Sequence, residues 1–119
     1  MPEDLEKTLI RLSGSRFRAG QKLRKKDERY YLRKGEEEIR KHVRDFIEVR
    51  LTPAYPQNDT KQTPFRGHPA FTAQHATATC CRKCLLKWHG IEKGRELTDK
   101  EIDYIIELIM KWLKKEMYI

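Results

Sequence analysis

Residues 97–117, LTDKEIDYIIELIMKWLKKEM, contain the strongest helical pattern of the chain and decide its fold class. Thr98 and Glu101 have the spacing of a capping box, in which each side chain accepts a hydrogen bond from the other residue's backbone amide. The apolar residues that follow recur every three or four positions and form one stripe: Ile102, Ile105, Ile106, Ile109 and Leu113. The pattern predicts a long amphipathic helix at the carboxyl end.

The preceding sequence predicts three further helices and shows no convincing strand alternation. A leucine stripe marks residues 2–12, and a shorter helix is expected over residues 25–33. Apolar residues at helical spacing mark residues 36–51, and the Thr52-Pro53 pair then ends this helix. A proline-punctuated loop, residues 52–67, follows. We therefore expect an all-α fold, a compact bundle of four to six helices with a long loop leading into a cluster of histidines and cysteines.

The length of 119 residues is sufficient for one modest hydrophobic core. We therefore expect residues 1–119 to form a single domain in three parts. These parts are a helical, basic half (1–51), the loop with the histidine and cysteine motif (52–90), and the carboxyl-terminal helix (97–117).

Composition narrows the class of protein. No run of about 18 apolar residues is present to span a membrane, and the amino terminus lacks the layout of a secretory signal. The three cysteines are an odd number within five residues, which does not suit a disulfide scaffold. We expect a cytoplasmic protein without a membrane partner, whose cysteines are reduced or bind a metal. Its oligomeric state is left open, with a homodimer as one possibility.

The net charge of +8 is concentrated in one segment. Residues 14–34 carry nine lysines or arginines against only Asp27 and Glu28, so this segment attracts polyanions such as DNA or RNA. The simpler alternative is a solvated helix surface. The candidate nucleic-acid-binding residues are Arg16, Arg18, Lys22, Arg24, Lys25 and Lys26.

Residues 61–90 contain all three cysteines and three of the four histidines. Cys81, Cys84 and His89 have the spacing C-x2-C-x4-H, which matches the first three ligands of a zinc knuckle. The knuckle's fourth ligand is missing, because Gly94 occupies its position. We expect His75 to supply the fourth ligand, with His68 and Cys80 as alternates.

Two other interpretations of these cysteines remain open. If residues 80–90 form one continuous helix, Cys81, Cys84 and His89 do not converge, and the thiols are buried apolar groups without a metal. A CxxC near a helix start also favours a reactive thiolate, but the sequence shows no βαβ setting for a thioredoxin-type site. A Cys81–His75 nucleophile pair is the hydrolase version of the same hypothesis.

The stretch TPFRGHPAFTAQHATATCCRKCLLKWHGI, residues 63–91, resembles an uncharacterised family, domain of unknown function 4186, known from prokaryotes and phages. The resemblance extends over about residues 16–113. It implies no activity, but it implies that the motif is a working site. Besides the histidines and cysteines, that motif contains Arg66, Gln74 and Trp88.

Three functional hypotheses follow. The first is a small protein that binds zinc, or alternatively iron, and contacts nucleic acid through its basic segment. The second is a metal-dependent, hydrolase-like enzyme in which Asp59, His68 or His89 acts as general base and Arg66 holds an anionic substrate. The third is a structural or partner-binding protein with reduced cysteines and no metal.

Overall fold

The computed structural model describes residues 4–58 and 60–117. Within these ranges all the regular elements are α-helices, which confirms the all-α prediction, and their number is seven rather than four to six. The helices are α1 (Leu5–Ser13), α2 (Arg16–Ala19), α3 (Lys25–Lys34), α4 (Glu36–Arg50), α5 (Pro69–Ala76), α6 (Arg82–His89) and α7 (Asp99–Met117).

Two helices escape the sequence pattern for physical reasons. The first, α2, is a single turn capped by the Ser15 side chain, too short to show any periodicity. The second, α5, has every residue buried, so that it has no polar face and no amphipathic stripe. The predicted start of the first helix at Pro2 lies outside the described residues, and α1 is capped by the Asp4 carboxylate, which accepts from the Lys7 amide.

Helix α7 lies at the centre of the molecule and packs against α1, α4 and α5. The predicted capping box is present, because the Glu101 amide donates to Thr98 Oγ1 at 3.1 Å and the Thr98 amide donates to Glu101 Oε1 at 2.9 Å. Ile105 and Ile109 are fully buried in the core, together with Ile39 and Ile47 of α4. The apolar stripes of the two most periodic segments therefore meet each other.

Helices α3 and α4 follow one another with only Gly35 between them. Gly35 has φ 88°, a backbone angle that a residue with a Cβ adopts only under strain, and it is both the C-cap of α3 and the N-cap of α4. Both helices continue toward α5, against which each of them packs. The basic segment is thereby held beside the histidine and cysteine motif.

Between α4 and α5 the described residues, 51–58 and 60–68, form no helix, as expected for the predicted long loop. Its first residues are held by Arg82 of α6, which is only 1% exposed. The Arg82 guanidinium donates to the carbonyl oxygens of Leu51 and Pro53, both at 2.9 Å. It also donates to those of Glu92 and Arg95, at 2.7 and 2.8 Å. One buried cation thus joins the start of the loop to the segment that leads into α7.

No helix within the described ranges has both the length and the apolar character needed to cross a membrane.

Candidate metal centre

The three cysteines form one group at the start of α6. The Sγ atoms of Cys80, Cys81 and Cys84 all lie within 4.8 Å of one another, and Cys80 and Cys81 are buried. They converge because α6 begins only at Arg82, so that Cys81 is its N-cap rather than part of a continuous helix. Cys81 Sγ accepts a hydrogen bond from the Cys84 amide at 3.4 Å, as the thiolates of CxxC metal turns do.

A buried turn between α5 and α6 places Cys80. Ala78 has φ 57°, and the Thr79 amide donates to the Gln74 carbonyl at 2.9 Å, the bond of a Schellman helix end. Gln74 Nε2 donates to the Thr79 carbonyl at 3.0 Å, which closes the turn from its other side. Gln74, one of the motif residues, therefore holds the chain just before the first cysteine.

Thr63, at the end of the long loop, holds the same cysteine from the opposite direction. Its Oγ1 donates to the Cys80 carbonyl at 2.7 Å, and Thr63 is buried. No sequence pattern indicates this role, because the two residues are 17 positions apart and a threonine has many possible partners.

Arg18 of α2 is the residue whose position differs most from the prediction. We expected it on a nucleic-acid-binding surface, but it is buried and its guanidinium faces the thiols. Its Nη2 donates to Cys84 Sγ at 3.2 Å, and its Nη1 donates to Cys80 Sγ at 3.6 Å. Nη1 also donates to the His75 carbonyl at 2.7 Å. Arg18 therefore belongs to the cysteine site.

These contacts shift the pKa values of Cys84 and Cys80 in opposite directions. Hydrogen bonds from the Cys80 and Cys81 thiols and from Arg18 lower the pKa of Cys84, while hydrogen bonding to its neighbours and burial raise the pKa of Cys80. Cys84 is therefore the thiol of the metal-free group that loses its proton most readily. A thiolate is the form of cysteine that binds metals.

The donor set fits a transition metal ion. Thiolates bound to one tetrahedral zinc ion at about 2.3 Å lie about 3.8 Å apart, so the observed group needs to contract by only about 1 Å. Three thiolates leave one net negative charge on a divalent ion, and the Arg18 guanidinium neutralises it. The Cys80, Cys81 and Cys84 group could therefore hold a metal ion.

His75 is the histidine most closely connected to this group. Its Nε2 lies 3.3 Å from the Thr63 carbonyl and 3.2 Å from the Pro64 carbonyl. Because a carbonyl can only accept, Nε2 carries the proton and Nδ1 is unprotonated. Nδ1 has no hydrogen-bond partner within the described part of the chain. A metal-binding histidine often donates its second nitrogen to a backbone carbonyl in this way.

The other two histidines of the motif face elsewhere. His89 Nε2 donates to the Thr77 carbonyl at 2.8 Å, and His89 Nδ1 lies 2.8 Å from the Tyr104 hydroxyl, so both ring nitrogens have other partners. His68 Nδ1 accepts from the Ala70 amide at 3.0 Å and caps α5. None of the described imidazoles lies in the group of atoms within 4.8 Å, so the set that the structure brings together is the three cysteines.

His68 Nε2 lies 3.0 Å from His42 Nδ1, in a second, partly buried polar contact. Since His68 Nδ1 is an acceptor, its proton is on Nε2 and is donated to His42. His42 then carries its own proton on Nε2, which lies 3.3 Å from a Glu38 carboxylate oxygen. Burial, and then the neighbouring His42, lower the pKa of His68 to about 4.

The remaining candidate residues lie away from the thiols. Arg66 is exposed on the loop before α5, and Trp88 is half-buried against the core, with the Arg11 guanidinium 5.5 Å from its ring centroid. Asp59, a candidate general base, lies outside the described residues. The other predicted nucleic-acid-binding residues are exposed: Arg16, Lys22, Arg24, Lys25 and Lys26.

Comparison with known proteins identifies the same family as the sequence motif. No solved structure matches this chain. The family described as "Domain of unknown function (DUF4186)" matches residues 6–114, nearly the whole length and including all three cysteines. The chain therefore belongs to the DUF4186 family.

Proposed function

We propose that this protein binds one zinc ion through the thiolates of Cys80, Cys81 and Cys84. The observation that carries the proposal is the convergence of three buried or half-buried Sγ atoms within 4.8 Å, beside a buried arginine that compensates their charge. Sulfur-rich tetrahedral sites select zinc or iron. Zinc is the preferred assignment because a fourth, imidazole ligand completes a common structural zinc site, Cys3His.

His75 is the proposed fourth ligand, through Nδ1. Its Nε2 is already directed at the carbonyls of the loop, and its backbone is held by Arg18, the same residue that contacts two of the thiols. Burial lowers the pKa of His75, which keeps the imidazole in the neutral form that binds metals. Because His75 lies outside the group of atoms within 4.8 Å, the proposal requires its ring to move toward the thiolates when the metal binds.

Elemental analysis of protein purified anaerobically tests the metal assignment. We expect about one equivalent of zinc in the wild type and none in the Cys81→Ser, Cys84→Ser double variant. Lys83→Ser is the matched control, because Lys83 is exposed between the two cysteines and provides no ligand. Wild-type protein that holds neither zinc nor iron after repletion would show that the proposal is wrong. One equivalent of iron would retain the site and replace the metal.

A competition titration with a chromophoric chelator tests His75 separately. His75→Gln is expected to keep the three thiolates and to bind zinc at least about tenfold more weakly than the wild type. Equal affinity in the variant would remove His75 from the ligand set and leave the fourth position to a water or another donor.

Nucleic-acid binding is a second candidate function, supported by the surface charge of α2, α3 and the segment between them. Eight basic side chains are exposed there, and none forms an ion pair with a carboxylate in the described part of the chain. They are Arg16, Lys22, Arg24, Lys25, Lys26, Arg29, Arg33 and Lys34. We call this set the basic surface. Exposed cations without ion-pair partners attract a polyanion, whereas the cations of an ordinary solvated helix surface are often paired with carboxylates.

The salt dependence of binding to a short DNA duplex and to single-stranded RNA tests the basic surface. We expect affinity to fall steeply with salt, and the Lys25→Glu, Lys26→Glu double variant to reduce both the affinity and the slope. The control is the double variant Lys83→Glu, Lys87→Glu, which changes the net charge by the same amount at exposed positions of α6. If the two double variants have the same effect, the binding depends on net charge and not on this surface.

A further inference from the structure

A groove borders the proposed metal site and extends beyond it. Its volume is about 1180 Å³, and it lies between the end of α4, the long loop and the edge of the cluster. Cys80 and His75 form part of its wall. A groove of this size accommodates a ligand larger than a single small metabolite.

The described part of the groove wall is positively charged, which favours an anionic ligand. Arg50 and Lys61 are the cationic side chains of the lining, and no carboxylate occurs among the lining residues that the structure describes. Arg50 is held in place by two aromatic rings, with its guanidinium 5.2 Å from the Phe46 ring centroid and 4.9 Å from that of Phe71. Its position is therefore fixed before any ligand binds.

The rim of the groove offers aromatic rings. Phe65 stacks on His75 with 4.4 Å between ring centroids and 11° between planes, yet it remains 65% exposed. One face of the Phe65 ring is thus occupied, and the exposure leaves a surface for a second planar group. Tyr55, on the same loop, is 84% exposed. Exposed rings beside cations are the arrangement on which nucleobases stack.

We propose that this groove binds a nucleotide unit, with its base stacked on Phe65 and its phosphate held by Lys61 and Arg50. The unit is either a free nucleotide or one residue of a single strand, because both present the same base and phosphate. The inference goes beyond the metal site and does not require the ion. It also uses a surface different from the basic surface of α2 and α3.

Calorimetric titration with AMP and with a short oligo(dA) tests the groove. We expect Phe65→Ala to weaken binding about tenfold, since one stacked base contributes this much or more. Leu32→Ala is the matched control, because Leu32 is equally exposed, at 65%, on α3. Lys61→Ala is expected to weaken binding several-fold, with the exposed Lys100→Ala unchanged.

The two ligands separate the sources of the nucleotide. Equal affinity for AMP and oligo(dA) indicates a free nucleotide, whereas much tighter binding of oligo(dA) indicates a strand, and both outcomes support the groove. Wild-type protein that binds neither ligand, or Phe65→Ala protein that binds like wild type, overturns it. The proposal also fails if only Lys25→Glu, Lys26→Glu reduces the binding of oligo(dA).

Zinc content is measured on the same samples. Nucleotide binding that persists in the Cys81→Ser, Cys84→Ser variant supports a groove that is independent of the metal. If wild-type protein binds AMP but contains no zinc, the metal-site proposal is wrong and the groove proposal stands. A failure of one proposal is therefore distinguishable from a failure of the other.

Discussion

His68 makes the stability of this protein sensitive to acid. Its Nδ1 must be unprotonated to accept the Ala70 amide at the start of α5, and the ring is buried against His42. These surroundings lower its pKa from 6.5 to about 4. Because the folded pKa lies below the unfolded value, the unfolded state binds more protons between these pH values. Stability is therefore fully present above pH 6.5 and is lost as pH falls toward 4.

The magnitude follows from the size of the shift. One pKa unit corresponds to about 1.4 kcal/mol, so the full contribution is about 3 kcal/mol, and about 2 kcal/mol of it is lost by pH 5. His68→Asn removes the titrating group but keeps a side chain that caps helices well. We expect the free energy of unfolding of the variant to fall about 2 kcal/mol less than that of the wild type between about pH 7.5 and pH 5.

Urea unfolding followed by circular dichroism, with a chelator present throughout, measures this difference. The chelator keeps both proteins free of metal, so that acid does not act through the cysteine site. Burial also lowers the pKa of His89 to about 4, and its acid loss is common to both proteins and cancels in the comparison. Parallel loss of stability in wild type and variant would refute the reasoning, because it would show that His68 does not titrate differently in the two states.

Three further predictions concern arginine contacts. Arg82→Met leaves four carbonyls without their donor and is expected to destabilise the protein by at least about 3 kcal/mol in the same urea assay, a loss that Arg82→Lys recovers only in part. The Arg95 guanidinium lowers the pKa of Glu101 to about 2, so Glu101→Gln should cost about 1–2 kcal/mol near neutral pH and much less near pH 2. Arg18→Gln removes a donor to Cys84, and in metal-free protein the thiolate absorbance near 240 nm should appear at higher pH than in the wild type; an unchanged midpoint would contradict the assigned contact.

The helices with an apolar stripe were predictable from sequence, and the site was predictable only in location. The isoleucines of α7 and α4 recur with helical spacing because one face of each helix meets the core, and that spacing is written in the sequence. Helix α5 has no such contrast, since all its residues are buried, and its three alanines and single threonine form no apolar stripe.

The surroundings of the cysteines depend on tertiary contacts, which no sequence pattern shows. Arg18 belongs to a run of basic residues, and nothing local distinguishes it from its exposed neighbours Arg16 and Lys22. Its burial depends on α2 packing against α5. For His89, the prediction as a ligand followed from spacing to Cys84, whereas its partners Thr77 and Tyr104 lie 12 and 15 residues away along the chain.

The long loop is fastened at both of its ends. Arg82 holds the Leu51 and Pro53 carbonyls at the start, and Thr63 holds the Cys80 carbonyl at the end. Residues added or removed between these two sets of hydrogen bonds would enlarge or narrow the groove while the cysteines keep their positions. Surface loops tolerate such changes of length at small entropic cost. In such an architecture, the size of the accepted ligand and the geometry of the cysteine site can diversify separately.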